Sequence, residues 1–104
     1  MKYRRLGKTE ILVSEIGFGA WPIGGSAYGD TSDSDGLEAL ETYINDGGNH
    51  IDTARSYGRS ETLTGDVLSK LDRSEIFLAT KTAQGEFVES IPDVRKELEA
   101  SLRE

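Results

Sequence analysis

The sequence contains no cysteine, a single histidine, one tryptophan and two prolines. Without thiols it has no disulfide framework, no thiolate zinc site and no cysteine nucleophile, and one histidine cannot make a metal site. Apolar residues are scarce at 36%, while twelve glycines add freedom to the unfolded chain, so 104 residues are not expected to build a large self-sufficient core. That length suits one small domain. No stretch approaches the roughly 18 apolar residues of a membrane span, and Met1-Lys2 leads into charged residues rather than an apolar run. A cytoplasmic protein is the default expectation. Basic residues are in deficit, with 12 Lys and Arg against 19 Asp and Glu for a formal charge of −7. Nucleic acid and anionic membrane surfaces would repel such a chain, so neither is expected as its main partner.

Common cofactor motifs are missing as well. Gly17-x-Gly19 lacks the third glycine of the dinucleotide fingerprint because Pro22 stands in that position. No complete Walker-type phosphate loop occurs, since Gly7-Lys8-Thr9 has Lys2 where the motif's first glycine belongs, and no tyrosine is followed four residues later by lysine, which removes the Tyr-Lys pair of short-chain dehydrogenases.

What is present centres on Asn49-His50-Ile51-Asp52-Thr53-Ala54-Arg55-Ser56-Tyr57-Gly58. A strand over 50–53 puts His50 and Asp52 on one face and Ile51 and Thr53 on the other, with the carboxylate at the carboxyl end just before Tyr57. A second strand over 76–81 places Phe77, Ala79 and Lys81 on one face and Ile76, Leu78 and Thr80 on the other. Polar groups at the carboxyl ends of successive parallel strands are the one-dimensional pattern of an α/β active site. His50, facing the same interior as Asp52, reads as a hydrogen-bonded core residue rather than a ligand or an acid-base group.

The remaining chain reads as connecting structure. Residues 2–6, 7–10 and 11–13 suggest a hairpin. Ile16-Gly17-Phe18-Gly19 is a short strand that enters a glycine-broken loop, Trp21 to Gly29, long enough to be a binding loop. Ser32, Asp33 or Ser34 caps a first helix with the stripe Leu37, Leu40, Tyr43 and Ile44, ended by Gly47-Gly48. A second helix starts near Ser60-Glu61 and buries Leu63, Val67, Leu68 and Leu71, its early acid favourable to the helix dipole. After the polar loop Ala83 to Glu86, a third starts near Ser90 with Pro92 in its first turn and Ile91, Val94, Leu98 and Leu102 as its stripe.

The order hairpin, βα, βα, βα requires parallel neighbours joined by right-handed crossovers. Doubly wound sheets and (β/α)8 barrels both begin this way. The charged interior-facing positions Asp52 and Lys81, with His50 and Ala79, and the single apolar stripe on each helix favour the barrel. A complete barrel takes about 250 residues, so residues 1–104 are expected to supply the first three βα units of one TIM-barrel domain, stopping before strand four.

Phe18-Gly19-Ala20-Trp21, His50-Ile51-Asp52-Thr53-Ala54 with Tyr57-Gly58 and Ser60-Glu61, and Ala79-Thr80-Lys81-Thr82 together resemble the amino-terminal third of an aldo-keto reductase. Tyr3-Arg4-Arg5-Leu6-Gly7-Lys8-Thr9 resembles that family's barrel-closing hairpin, so the likeness runs through the whole chain. It implies NADPH-dependent reduction of an aldehyde or ketone, or the reverse alcohol oxidation, on a small carbonyl or sugar-like substrate. By the family pattern, Tyr57 protonates the carbonyl oxygen, Lys81 makes that phenol more acidic and Asp52 pairs with Lys81. Free tyrosine titrates near 10, so a phenol working as proton donor needs an adjacent cation held in a fixed orientation. Trp21 walls the carbonyl pocket beside the nicotinamide of the cofactor, NADP, which Gly19, Ala20 and Asp52 also approach; Ala20 stands where threonine is common.

Competing readings accompany each of these. An Asp-Lys pair at strand ends is often only an ion pair, a lone tryptophan is more often packing, and a desolvated Lys81 could form a Schiff base in an aldolase-like enzyme. The family's fourth catalytic residue, a histidine at the end of strand four, and its main cofactor site lie beyond Glu104. The chain alone is therefore expected to be an inactive fragment of an oxidoreductase. The alternative is a short non-catalytic assembly or binding module of barrel origin, self-associating through open barrel edges.

Overall fold

A computed structural model of the chain describes residues 1–24, 32–82 and 91–103. Its first elements are β1 (Tyr3–Arg5) and β2 (Leu12–Ser14), paired antiparallel with Arg4 opposite Val13. Gly7, at φ +54°, takes the left-handed turn between them, and the Thr9 hydroxyl donates to the Leu6 carbonyl at 2.6 Å. Asn49 fastens this hairpin to the rest of the chain. Its Oδ1 accepts from the Ser14 amide at 2.7 Å and its Nδ2 donates to the Leu12 carbonyl at 2.8 Å.

The central sheet has the order β3 (Phe18–Gly19), β4 (His50–Asp52) and β5 (Phe77–Ala79), all parallel. Helix α1 (Asp33–Asn45) connects β3 to β4, α2 (Ser60–Leu68) connects β4 to β5, and α3 (Ile91–Arg103) follows β5. Ser32 is the cap of α1, its hydroxyl accepting from the Asp35 amide at 3.2 Å, and Asp33 and Asp35 in the first turn suit the positive end of the helix dipole. The helix stops where Gly47 turns to φ +97° and donates its amide to the Ile44 carbonyl.

Strand alternation divides the labour of the sheet. Ile51 and Leu78, opposite one another in register, join a core formed by Ala20, Ile23, Leu40, Leu63, Val67, Leu68 and Ile76. Leu40 and Ile51 are fully buried, each contributing about 1.5–3 kcal/mol through removal from water. On the opposite face the register pairs are His50 with Phe77 and Asp52 with Ala79.

Several expectations need correction. Leu71 lies beyond the end of α2 and is 41% exposed, so the buried side of that helix is Leu63, Val67 and Leu68. On α3 the stripe residues Val94, Leu98 and Leu102 are exposed, Leu102 most of all at 77%, because no further layer covers them among the described residues. The strand expected over 76–81 is regular only to Ala79. The His50 side chain packs edge-on against the Phe77 ring, with centroids 5.4 Å apart, and makes no hydrogen bond among the described residues. Its backbone is what is bonded: the Tyr43 hydroxyl accepts from the His50 amide at 3.1 Å and donates to the His50 carbonyl at 3.0 Å. The expected binding loop after Trp21 falls into a 3-10 turn at Pro22–Gly24 and then, at 25–31, lies outside the described residues, as do the loop at 83–86 and the helix start at Ser90. Among the described residues no helix is long and apolar enough to cross a membrane.

Candidate active site

The ladder between β4 and β5 continues past their regular ends, the Thr53 amide donating to the Ala79 carbonyl at 2.8 Å and the Arg55 amide to the Lys81 carbonyl at 3.0 Å. Asp52 and Lys81 therefore leave neighbouring strands at the same end. Lys81 Nζ donates to Asp52 Oδ1 at 2.7 Å and to the Thr53 carbonyl at 2.9 Å, and sits 5.2 Å from the centre of the Tyr57 ring. Tyr57 is held by a tight loop: its amide donates to the Ala54 carbonyl, its carbonyl accepts from the Ser60 amide, and Gly58 follows at φ +56°. Both ends of that loop are anchored in buried structure. The Thr53 and Ser60 hydroxyls lie 2.6 Å apart, and Ser60 Oγ donates to the Ala20 carbonyl at 2.7 Å.

The four groups form one open cluster. Trp21, 49% exposed, faces Tyr57 with ring centroids 6.3 Å apart. Ala54, Ser56, Tyr57, Lys81 and Thr82 line a cleft of about 290 Å³. Burial pushes the Lys81 ammonium toward easier deprotonation, but the hydrogen bond and charge of Asp52, with a further contribution from Tyr57, outweigh it and hold the amine above the ordinary lysine range. A cation fixed beside a phenol and oriented by a carboxylate can favour negative charge on the phenol oxygen, which is what a tyrosine proton donor requires.

Asp52, Tyr57, Lys81 and Trp21 are thus brought together. Gly19 lies beside Asp52 in register, and a Cβ built on it would meet nothing within 4 Å. Ala20 is not brought to the cleft: it is fully buried in the core behind the sheet, with its amide donated to the Asp52 carbonyl and its own carbonyl taken by Ser60. His50 lies two residues before Asp52 on the same face, deeper along the strand. Sequence reasoning assigned no role to Ser56 and Thr82, which line the cleft, and it read Glu61 only as a first-turn acid favourable to the helix dipole, although it is 8% exposed. Both of the first two lie inside the stretches singled out in the sequence, but nothing local says that their side chains reach the cleft; the burial of Glu61 has no local signal beyond its place beside Ser60.

A parallel sheet with an acid, a phenol and an amine gathered at the carboxyl ends of its strands defines an α/β protein whose candidate site lies where such folds place theirs. The family model described as Aldo/keto reductase family matches residues 15–104. The chain belongs to that family. Among curated proteins it is 37% identical over 86 residues to Aldo-keto reductase YhdN of Bacillus subtilis, covering 80% of this chain and 26% of that protein. It is 38% identical over 86 residues to the NADH-specific methylglyoxal reductase of Escherichia coli, covering 78% of this chain and 26% of that protein. Among solved structures, the thermostable aldo-keto reductase Tm1743 in complex with the inhibitor epalrestat superimposes with a TM-score of 0.82 at 34% identity, covering 99% of this chain and 38% of that one. The chain spans about a quarter of the length of these curated relatives.

Proposed function

We propose that residues 1–104 form the first three βα units of a (β/α)8 barrel and supply the Asp52, Tyr57 and Lys81 proton-donor cluster of an NADPH-dependent carbonyl oxidoreductase. The observation that carries this reading is the Lys81 ammonium, 2.7 Å from the Asp52 carboxylate and 5.2 Å from the centre of the Tyr57 ring. Open space above Gly19 and the half-exposed Trp21 suit the approach of a flat nicotinamide ring beside Asp52. When bound, the dinucleotide supplies a hydride to the carbonyl carbon. Tyr57 gives its phenolic proton to the carbonyl oxygen as that oxygen takes the π pair, so the product is an alcohol. Lys81 favours the negative charge left on the phenol oxygen, and Asp52 with the Thr53 carbonyl holds Lys81 in place. The choice of NADPH over NADH rests on the family resemblance alone, and one relative is named for NADH, so both are assayed.

A Schiff-base role for Lys81 is disfavoured on physical grounds. It needs a neutral amine at working pH, whereas Lys81 is held above the ordinary lysine range. The exposed stripe on α3, with Leu98 at 49% and Leu102 at 77%, favours one second reading, a self-associating module without catalysis, which sedimentation as a compact monomer would exclude.

Because the chain spans 26% of its Bacillus relative, the proposed activity is tested in a chimera in which residues 1–104 replace the matching part of that protein. The 104 residues alone are expected to give no turnover. The chimera is expected to oxidise NADPH or NADH with a panel of aldehydes, and Tyr57→Phe to lower kcat by about 10²–10⁴. A folded chimera whose rate ignores Tyr57→Phe ends the proposal.

A further inference from the structure

Glu61 is the one carboxylate among the described residues that is buried, at 8% exposure, and a charge in that position is costly unless partnered. Its partners come from three directions. Oε2 accepts from the Thr80 hydroxyl at 2.9 Å, Oε1 accepts from the Ser101 hydroxyl of α3 at 3.1 Å, and Arg55 Nη1 stands 3.8 Å from Oε1. A first-turn acid serving only the helix dipole needs none of this, since solvent would satisfy it.

The identity of those partners gives the carboxylate its place in the site. Thr80 directly precedes Lys81, and Arg55 both pairs with Glu61 and donates its amide to the Lys81 carbonyl at 3.0 Å, two residues before Tyr57. Thr80 is itself exposed, so its bond to Glu61 is not a by-product of core packing. We infer that Glu61 is a positioning residue: through Thr80 and Arg55 it fixes the main chain on both sides of the amine–phenol pair, so that Lys81 stays on Asp52 beneath the Tyr57 ring. In calling that pair a proton-donor pair, the inference rests on the function proposed above.

Its test reads geometry rather than turnover. In the folded protein, Thr80→Val removes one hydroxyl at constant shape, Thr80→Ser restores it, and Glu61→Gln removes the charge while keeping the volume. Thr80→Val and Glu61→Gln are expected to speed exchange of the Arg55 amide by about five- to tenfold, the loss of roughly one hydrogen bond. Both should also move the Lys81 titration, followed by NMR at its Nζ, downward as the amine loses its fixed contact with Asp52. Thr80→Ser should behave as the parent. Leu63→Ala, a destabilised control on the same helix, should leave the Lys81 titration where it was. Folded Thr80→Val and Glu61→Gln proteins with parental Arg55 exchange and Lys81 titration overturn the inference, as does a Thr80→Ser protein that behaves like Thr80→Val. Should Tyr57→Phe leave the chimera's rate intact, the reductase reading falls, while these NMR outcomes stand or fall separately.

Discussion

Replacing Asp52 by asparagine keeps the shape of the β4 end and removes the charge that meets Lys81 at 2.7 Å. Both side chains are about half exposed, 44% for Lys81 and 51% for Asp52, so solvent screens the pair and its net worth is about 0.2–1 kcal/mol rather than the larger Coulomb figure for a dry contact. Global stability at neutral pH should therefore fall by no more than about 1 kcal/mol, measured by urea unfolding. The local effect is larger in kind. With Asp52 gone, the strongest influences raising the Lys81 amine are lost and the opposing influence of burial remains, so its titration moves down. A raised folded-state lysine contributes stability that is fully present below the unfolded value of roughly 10.4 and is lost as pH rises through the higher folded value. The parent should lose that increment in the alkaline range while Asp52→Asn, having none to lose, shows a flatter profile. An unchanged Lys81 titration in Asp52→Asn would refute the reasoning, because Asp52 would then not be what holds the proton.

Two packing predictions follow from the same elements. Tyr43→Phe removes a hydroxyl that meets Ser14 Oγ, the Ile16 carbonyl and both backbone groups of His50; Ser14 and Ile16 keep their own bond at 2.9 Å, so the cost of about 1–3 kcal/mol, read from urea midpoints, falls chiefly on the His50 amide. Gly48→Ala would drive a Cβ into the Tyr43 ring, so that ring must move; a loss of about 1–3 kcal/mol and a lowered Tm are expected.

Period-two alternation was enough to put Ile51 and Leu78 in the core and Asp52 on the other face, because one strand face is apolar and the other is not. The ends of elements were less readable. Leu71 continues the apolar period of α2, yet the helix ends at Leu68, because spacing says nothing about where backbone bonding stops. The α3 stripe is legible as amphipathic, but what covers it is a tertiary fact and no local pattern carries it. At the candidate site, Asp52 and Lys81 stand out as charges at the carboxyl ends of strands, whereas the role of Tyr57 beside them comes from the resemblance to the family pattern. Ala20 was placed by analogy to a position where the side chain matters, whereas here both of its backbone groups are already bonded and its methyl lies in the core. Glu61 escaped notice as a buried charge because nothing local separates a solvated first-turn acid from one closed over by a strand end and a neighbouring helix.

The openness of the cleft bears on how the cluster works. Half exposed, the Asp52–Lys81 pair loses little solvation and gains little energy, so its value in this setting lies in direction: it aims an ammonium at one aromatic ring. Covering that face with further barrel units would raise the desolvation cost of both charges and their attraction together, and the ion pair would persist only if its remaining hydrogen bonds were already satisfied. On the lysine side one such bond is in place, since Lys81 donates to the Thr53 carbonyl as well as to Asp52. In the barrel proposed above, that cover would let the same amine act on the Tyr57 phenol with less screening.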